Sequence, residues 1–256
     1  MDNKIQKDFD RFKNLGYEDF KQLAKDESLS KYQKIGFPDS YREGKEHIIF
    51  QDIMAKLDIE PAASGKVILD IGPGCSDLPN MIVEYCAVNH HDLLLCDSKE
   101  MLDLLPSGAN IKKLEGYFPD ETADLINNFQ GGVDYIICYS IFHYVFYNTS
   151  GFKFIDAALS LLKPGGKMLI ADIPNISKRR RFFSSDTGIA FHKKFTNTDT
   201  LPEVNHLQFE PAQIDDGVVF GIMQRYRNFG FETYLLPQNK ELAMANRRED
   251  ILIAKI

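Results

Sequence analysis

The chain has 256 residues, of which 44% are hydrophobic and 26% charged, and carries a net charge of −7. Such values are ordinary for one globular domain with an appendage, and the negative balance argues against broad electrostatic binding to nucleic acid or an anionic membrane. No run approaches the ~18 apolar residues of a membrane span, and Met1 to Asp8 is too polar for a signal peptide.

Residues 1–60 read as a helical cap. Apolar residues at three- and four-residue spacing predict helices at 5–14, 17–26 and 45–57, with Ile5, Phe9 and Phe12 marking the first. Residues 36–44 are rich in turn formers and predict a loop, and 61–65 a short linker. From Lys66 onward, strands and helices alternate, the pattern of a parallel sheet covered on both faces. Strands are expected at 67–71, 92–96, 111–114, 133–139 and 167–172, with helices at 78–88, 99–105, 123–129 and 152–162 between them. Lys163-Pro164-Gly165-Gly166 ends the last of these helices. Residues 173–216 lack a period and contain Pro174, Pro202 and Pro211, which predicts an inserted lid over a substrate. A helix at 217–228 follows, then strands at 231–236 and 250–256. No crossover helix separates these two, so they are expected to form an antiparallel hairpin.

The segment Val67-Ile68-Leu69-Asp70-Ile71-Gly72-Pro73-Gly74-Cys75-Ser76-Asp77 carries the most chemistry. An apolar strand runs into an acid and then into a tight glycine turn, the start of a nucleotide-type pocket at a strand's carboxyl end. A dinucleotide would bring a pyrophosphate and favour a third Gly at position 77. S-adenosylmethionine brings a sulfonium, an ammonium, a carboxylate and a ribose diol. Asp77 in place of that Gly, together with Asp70, suits a cationic ligand better. A carboxylate is also the side chain that accepts both hydroxyls of a diol, which points to Asp97 at the end of the second expected strand.

Four motifs in order, Leu-Asp-Ile-Gly-Pro-Gly at 69–74, Leu-Leu-Leu-Cys-Asp at 93–97, the run 133–144 and Leu-Leu-Lys-Pro-Gly-Gly-Lys-Met-Leu-Ile at 161–170, resemble the class I S-adenosylmethionine-dependent methyltransferase family. The resemblance covers residues 66–256. It implies an α/β fold, with a Rossmann-like, doubly wound, seven-stranded sheet whose last strand is antiparallel. Residues 61–256 would be the S-adenosylmethionine-binding domain, with residues 1–60 as the helical cap and 173–216 inserted after strand five. Carried over, Asp70, Gly72 and Gly74 would line the methionine half of the cofactor. Asp97 would accept both ribose hydroxyls with Ser98 beside it, and Tyr117, Phe118 and Tyr139 would complete the contacts. The family's usual acid after the third strand is out of register here, at Glu115, and Tyr117 takes its place.

For the acceptor, His143 after the fourth strand is the first candidate base, or else a group that orients the substrate. Lys178, Arg179, Arg180 and Arg181 read either as a solvated loop or as a site for a phosphate or carboxylate, which His192 could join. Tyr41 and Arg42 are candidates to cover the cofactor or hold the substrate. His90 and His91 lack partners at metal-site spacing and read as a surface loop. Only Asp172 supplies an acid where a magnesium-type enzyme would want acids on strands four and five, so no metal is expected. The four cysteines, Cys75, Cys86, Cys96 and Cys138, show no Cys-x-x-Cys pattern, which suits reduced thiols in a cytoplasmic protein. The expected reaction is methyl transfer to an oxygen or nitrogen of a small metabolite, a sugar or sugar nucleotide being one fit to the basic run. The alternatives are a non-catalytic partner-binding subunit on the same fold and an NAD-dependent oxidoreductase. Neither nucleic acid nor membrane is expected as a partner.

Overall fold

The computed structural model describes residues 12, 15–59, 64–206, 208 and 213–256. Among the described residues four helices precede the sheet: α1 (Tyr17–Lys25), α2 (Lys31–Lys34), α3 (Asp39–Arg42) and α4 (Glu46–Leu57). The helix expected at 5–14 lies outside the described residues except for Phe12, and most of the 61–65 linker lies outside them too. Local chemistry starts these short helices. Asp19 accepts the Gly16 N–H at the start of α1 (2.8 Å), and Ser30 and Gln33 satisfy each other's backbone N–H groups at the start of α2.

Strands β1 (Val67–Ile71), β2 (Asp92–Asp97), β3 (Ile111–Glu115) and β4 (Val133–Tyr139) alternate with α5 (Asp77–Val88), α6 (Lys99–Leu102) and α7 (Ala123–Phe129). Next come α8 (Phe142–Asn148), α9 (Gly151–Leu161), β5 (Leu162–Pro174), α10 (Ile176–Phe183), α11 (Asp186–Thr196), α12 (Asp216–Asn228), β6 (Phe231–Pro237) and β7 (Arg248–Lys255). The sheet order is β3-β2-β1-β4-β5-β7-β6. β7 enters between β5 and β6 and runs antiparallel to both, while β1 to β5 pair in parallel. The expected closing hairpin is therefore present, with its second strand inside the sheet.

Alternation along the strands builds two cores. On one face Leu69, Leu94, Ile136, Cys138 and Ile170 pack with Phe154 and Ile155 of α9 and Ile222 and Tyr226 of α12. On the other, Ile68, Leu93, Leu95, Ile137 and Leu169 meet Ile49, Ile53 and Leu57 of α4 and Ile82 and Cys86 of α5. All four cysteines are buried and in no disulfide. Among the described residues no helix is long and apolar enough to cross a membrane.

Two expectations need correction. Residues 173–216 are not an aperiodic lid throughout, because α10 and α11 occupy much of the segment, capped by Asn175 and Ser185. No residue of α10 is buried and α11 buries only Gly188, so neither helix needs the apolar stripe that would announce it. His91 is not on a surface loop either. It is fully buried, with Nδ1 accepting the Lys66 N–H at 3.4 Å, and burial lowers its pKa.

Helix α4 shares its core with the sheet, so the cap and the sheet unfold together. Ile53→Ala, at a site 1% exposed, should cost roughly 2–5 kcal/mol. Urea titration should show a lower midpoint with an unchanged slope. A separate early transition for the cap would contradict this.

Candidate active site

At the carboxyl end of β1 the chain turns through Gly72 and Gly74 at φ of 71° and 66°. This left-handed geometry favours glycine, and space demands it too. A Cβ at 72 would lie 2.9 Å from the Ile141 side chain, and one at 74 would lie 2.6 Å from Ile35 Cγ2. The Gly72 N–H donates to the Cys96 carbonyl (2.9 Å), which ties the turn to β2. Gly74 N–H and Ser98 N–H donate to the two oxygens of Asp97 at 3.1 and 2.6 Å. Asp97 and the turn are thus one hydrogen-bonded unit.

A cavity opens over this unit, at the point where strand order reverses between β1 and β4. Its empty volume, open solvent included, is about 1040 Å³, the upper end of the ~300–1,000 Å³ usual for ligand sites. Of the expected cofactor residues, Asp70, Gly72, Gly74, Asp97, Tyr117, Phe118 and Tyr139 line it. Ser98 lies behind Asp97 and caps α6, its Oγ accepting the Met101 N–H at 3.3 Å. Glu115 is exposed and off the wall.

The other wall comes from the cap, through Tyr17, Phe20, Ile35, Phe37 and Arg42. Tyr17 meets Tyr117 edge-on at 4.9 Å and Phe20 meets Tyr144 at 5.0 Å. Asp77, where a dinucleotide fold would place its third Gly, holds the cap down instead. Both its oxygens accept from Lys31 Nζ at 2.6 Å and one accepts from Tyr32 OH at 3.1 Å. One residue on, the Leu78 N–H donates to Glu46 Oε2 (2.7 Å).

Electrostatics set this cavity apart from a core. Burial, then the nearby Asp97, pushes the Asp70 carboxyl up to about 8. Burial pushes Asp97 up to about 6 against its two backbone hydrogen bonds. Arg42 is buried between the Phe37 and Tyr139 rings, 4.4 and 5.1 Å from their centroids. Its nearest carboxylates, Glu46 and Asp172, stand 3.9 and 4.0 Å away, beyond hydrogen-bond reach. The cavity therefore holds two acids and one cation whose hydrogen-bonding capacity is not consumed by one another.

The candidate acceptor residues scatter. His143, expected at the pocket mouth, is not on the cavity wall. It lies in the first turn of α8 with its ring 3.9 Å from that of Tyr144, and its Nδ1 is buried without a partner among the described residues. Burial, aided by Arg248, drives its pKa down to about 3, so it is neutral and weakly basic. Tyr41 lines a smaller pocket that shares Phe37, Arg42 and Tyr139 with the main one. Arg179 and His192 both lie against Phe183, Arg179 over its ring and His192 at its edge. Among the described residues no three His, Cys, Asp or Glu side chains converge to hold a metal ion.

Sequence reasoning missed Tyr17, Phe20, Ile35, Phe37 and Tyr144, all on the wall. Tyr17 and Phe20 share one face of α1 by their three-residue spacing, and that was the available signal. It also missed Ser140, which directly follows β4 at φ 62° and donates through Oγ to Asp172 Oδ2 (2.7 Å). Asp172, near the end of β5, is itself at φ 60°. Two non-glycine residues in left-handed geometry at adjacent strand ends mark a strained functional edge.

The chain is similar to the chain assigned as a methyltransferase in a complex with the Trm112 methyltransferase activator from Haloferax volcanii. The identity is 12% over 93% of this chain and 98% of that one, with a TM-score of 0.56. The fold is that of the S-adenosylmethionine-dependent methyltransferases. The plantazolicin methyltransferase BamL, in complex with a triazolic desmethylPZN analog and SAH, is similar at 12% identity over 92% of this chain and 95% of that one, TM-score 0.56. An O-methyltransferase family protein from Burkholderia thailandensis is similar at 16% over 94% and 62%, TM-score 0.51. The chain thus spans less than two thirds of that third protein. No protein-family model and no curated protein matches the sequence.

In this methyltransferase fold the raised carboxyls have a measurable cost. Both folded values lie above the unfolded value near ~4, so the free protein keeps protons that the unfolded chain has lost, and stability falls as pH rises from ~4 towards 8. Asp70→Asn should therefore raise the melting temperature at pH 8.5 and leave it nearly unchanged at pH 4. A shift of equal size at both pH values would refute the assignment.

Proposed function

We propose that the protein transfers a methyl group from S-adenosylmethionine to an oxygen or nitrogen of a small metabolite. The observation that carries this reading is the pair of acids, buried Asp70 and half-buried Asp97, facing one cavity with no cation within ion-pair distance of either among the described residues. The donor set matches the cofactor group by group. Asp97 would accept the ribose hydroxyls, Asp70 would face the ammonium, and Arg42 would hold the carboxylate, a match of planar fork to oxyanion. Tyr17, Phe20, Tyr139 and Tyr144 would give a sulfonium aromatic neighbours and exclude water.

When bound, the cofactor supplies a methyl group on a positively charged sulfur, open to in-line attack. The protein's part is alignment and dryness, and alignment alone can lower such a barrier by roughly 7–11 kcal/mol. Histidine and lysine are absent from the cavity wall among the described residues. That favours an acceptor that is already nucleophilic, and it equally favours the second reading, a non-catalytic subunit that keeps the cofactor site. The antiparallel β7 disfavours the oxidoreductase alternative, whose sheet is ordered 3-2-1-4-5-6. The sugar nucleotide expected from the basic run loses support, because Lys178, Arg180 and Arg181 all have partners within the chain.

Calorimetry with S-adenosylmethionine, S-adenosylhomocysteine and NAD tests the proposal. The first two should bind and NAD should not; binding of NAD alone would sink it, and binding without turnover on a metabolite panel would leave the subunit. The affinity for S-adenosylhomocysteine should also carry the signature of Asp97. A diol favours the carboxylate form, so binding expels a proton below the free value near 6. Between pH 7 and pH 5 Asp97 alone should lower affinity about tenfold, on top of the fall imposed by Asp70, and Asp97→Asn should remove that tenfold share.

A further inference from the structure

Three of the four cations at positions 178–181 are engaged within the chain. Lys178 Nζ donates to the Arg248 carbonyl (2.7 Å) and faces Glu249 at 3.7 Å. Arg180 Nη2 donates to the Gln208 carbonyl (2.9 Å), and Arg181 pairs with Asp216. Arg179 differs. Its guanidinium stands over the Phe183 ring, 5.5 Å from the centroid. From the distant end of the chain, Arg247 brings a second guanidinium to within 5.7 Å of the same ring.

The nearby acids are already committed. Asp172 accepts from Arg248 (2.7 Å), Ser140 (2.7 Å) and Gln238 (3.1 Å). Glu249 accepts from Asn175 at 2.6 Å and faces Lys178, and Asp216 takes Arg181 and Asn175. Among the described residues, no carboxylate lies within 4 Å of Arg179 or Arg247. Burial lowers the Arg247 pKa; Tyr41 opposes this, while Arg248 and Arg179 add to it as like charges. One ring thus carries two guanidiniums without a carboxylate partner, Arg247 Nη1 donating to the adjacent Asn246 Oδ1 at 3.2 Å, an arrangement that an oxyanion would relieve.

Both arginines come off the carboxyl edge of the sheet, the edge on which the main cavity opens. Arg179 follows the end of β5 by five residues, and Arg247 directly precedes β7, whose Arg248 pairs with Pro174 of β5. Ser140 and Asp172 mark the same edge. Tyr41, which feels the charge of Arg247, lines the small pocket that shares Phe37, Arg42 and Tyr139 with the main cavity. Beyond Phe183, the rings of Phe182 (5.1 Å) and Phe191 (6.4 Å) extend an aromatic surface along α10 and α11, and Phe195 stacks on Phe191 at 5.9 Å.

We propose that Arg179 and Arg247 form an oxyanion site that selects an aromatic acceptor bearing a carboxylate or phosphate group. The site's place as an acceptor site rests on the reading of the main cavity as the S-adenosylmethionine site. Arg179 and Arg247 grip the oxyanion, and Phe183 with its neighbours receives the ring.

The test is calorimetry at pH 7 on the full chain saturated with S-adenosylhomocysteine. The probes are phenyl phosphate, benzoate and, as the neutral control, benzyl alcohol. Phenyl phosphate or benzoate should bind, and the tighter of the two identifies the oxyanion. Each of Arg179→Gln and Arg247→Gln should weaken that probe at least ~tenfold, the loss of a charge-assisted pair. Arg181→Gln should leave it unchanged, and S-adenosylhomocysteine should bind all variants within twofold. Failure of both oxyanions to bind the wild type, equal binding to the Gln variants, or equally tight binding of benzyl alcohol overturns the proposal. If S-adenosylhomocysteine itself fails to bind, the titrations are run without it. Arginine-dependent oxyanion binding then upholds the site while the cofactor reading falls. Arg179 is exposed, so its variant decides alone if Arg247→Gln does not fold.

Discussion

Two carboxyl groups, Asp70 buried and Asp97 half-buried, at the ends of neighbouring parallel strands set the terms for everything around them. Asp70 and Asp97 cost stability where they stand, and burial keeps both protonated to unusually high pH. Removing either charge would relieve that cost, yet the surrounding structure is built to hold both. The turn at Gly72 and Gly74 gives Asp97 a backbone N–H, and β1 and β2 fix the spacing of the pair. A site that spends stability in this way makes sense when a ligand bearing donors and positive charge returns it on binding.

The cap follows from the same constraint. Buried acids raise their affinity for a cation only if water is kept out, and the sheet edge alone leaves one side open. Tyr17, Phe20, Ile35, Phe37 and Arg42 form the missing wall. Lys31, Tyr32 and Glu46 fasten that wall to the first turn of α5. The Lys31–Asp77 pair is about half exposed and worth little by itself. A latch of that strength can open for a ligand to enter and still favour closure. Arg42 links the two halves, because its ring contacts join the cap to β4 and it lines the cavity.

Much of this was legible from residues alone, and the failures share a cause. Val67–Ile71 and Val133–Tyr139 stand at the expected bounds, because short, mostly apolar runs between polar turns suit buried parallel strands. Asp97 could be found because its chemistry ends a strand. Helices α10 and α11 escaped notice because they bury almost nothing, leaving only the Asn175 and Ser185 caps as signals. The wall residues of α1 read as ordinary packing, since periodicity identifies an apolar face without saying whether it meets a core or a cavity. His91 and His143 were misplaced for a related reason. Their burial is tertiary, and nothing local in the sequence separates a solvated imidazole from one held neutral.

The central claim is that Asp70, Asp97 and Arg42 together recognise one ligand that carries an ammonium, a diol and a carboxylate. A crystal structure of the protein with S-adenosylhomocysteine tests it most directly. The account predicts the ribose hydroxyls on Asp97, the ammonium beside Asp70, the carboxylate on Arg42 and the cap closed over all three. A ligand bound elsewhere, or one whose carboxylate leaves Arg42 untouched while Asp97 faces no hydroxyl, would contradict it.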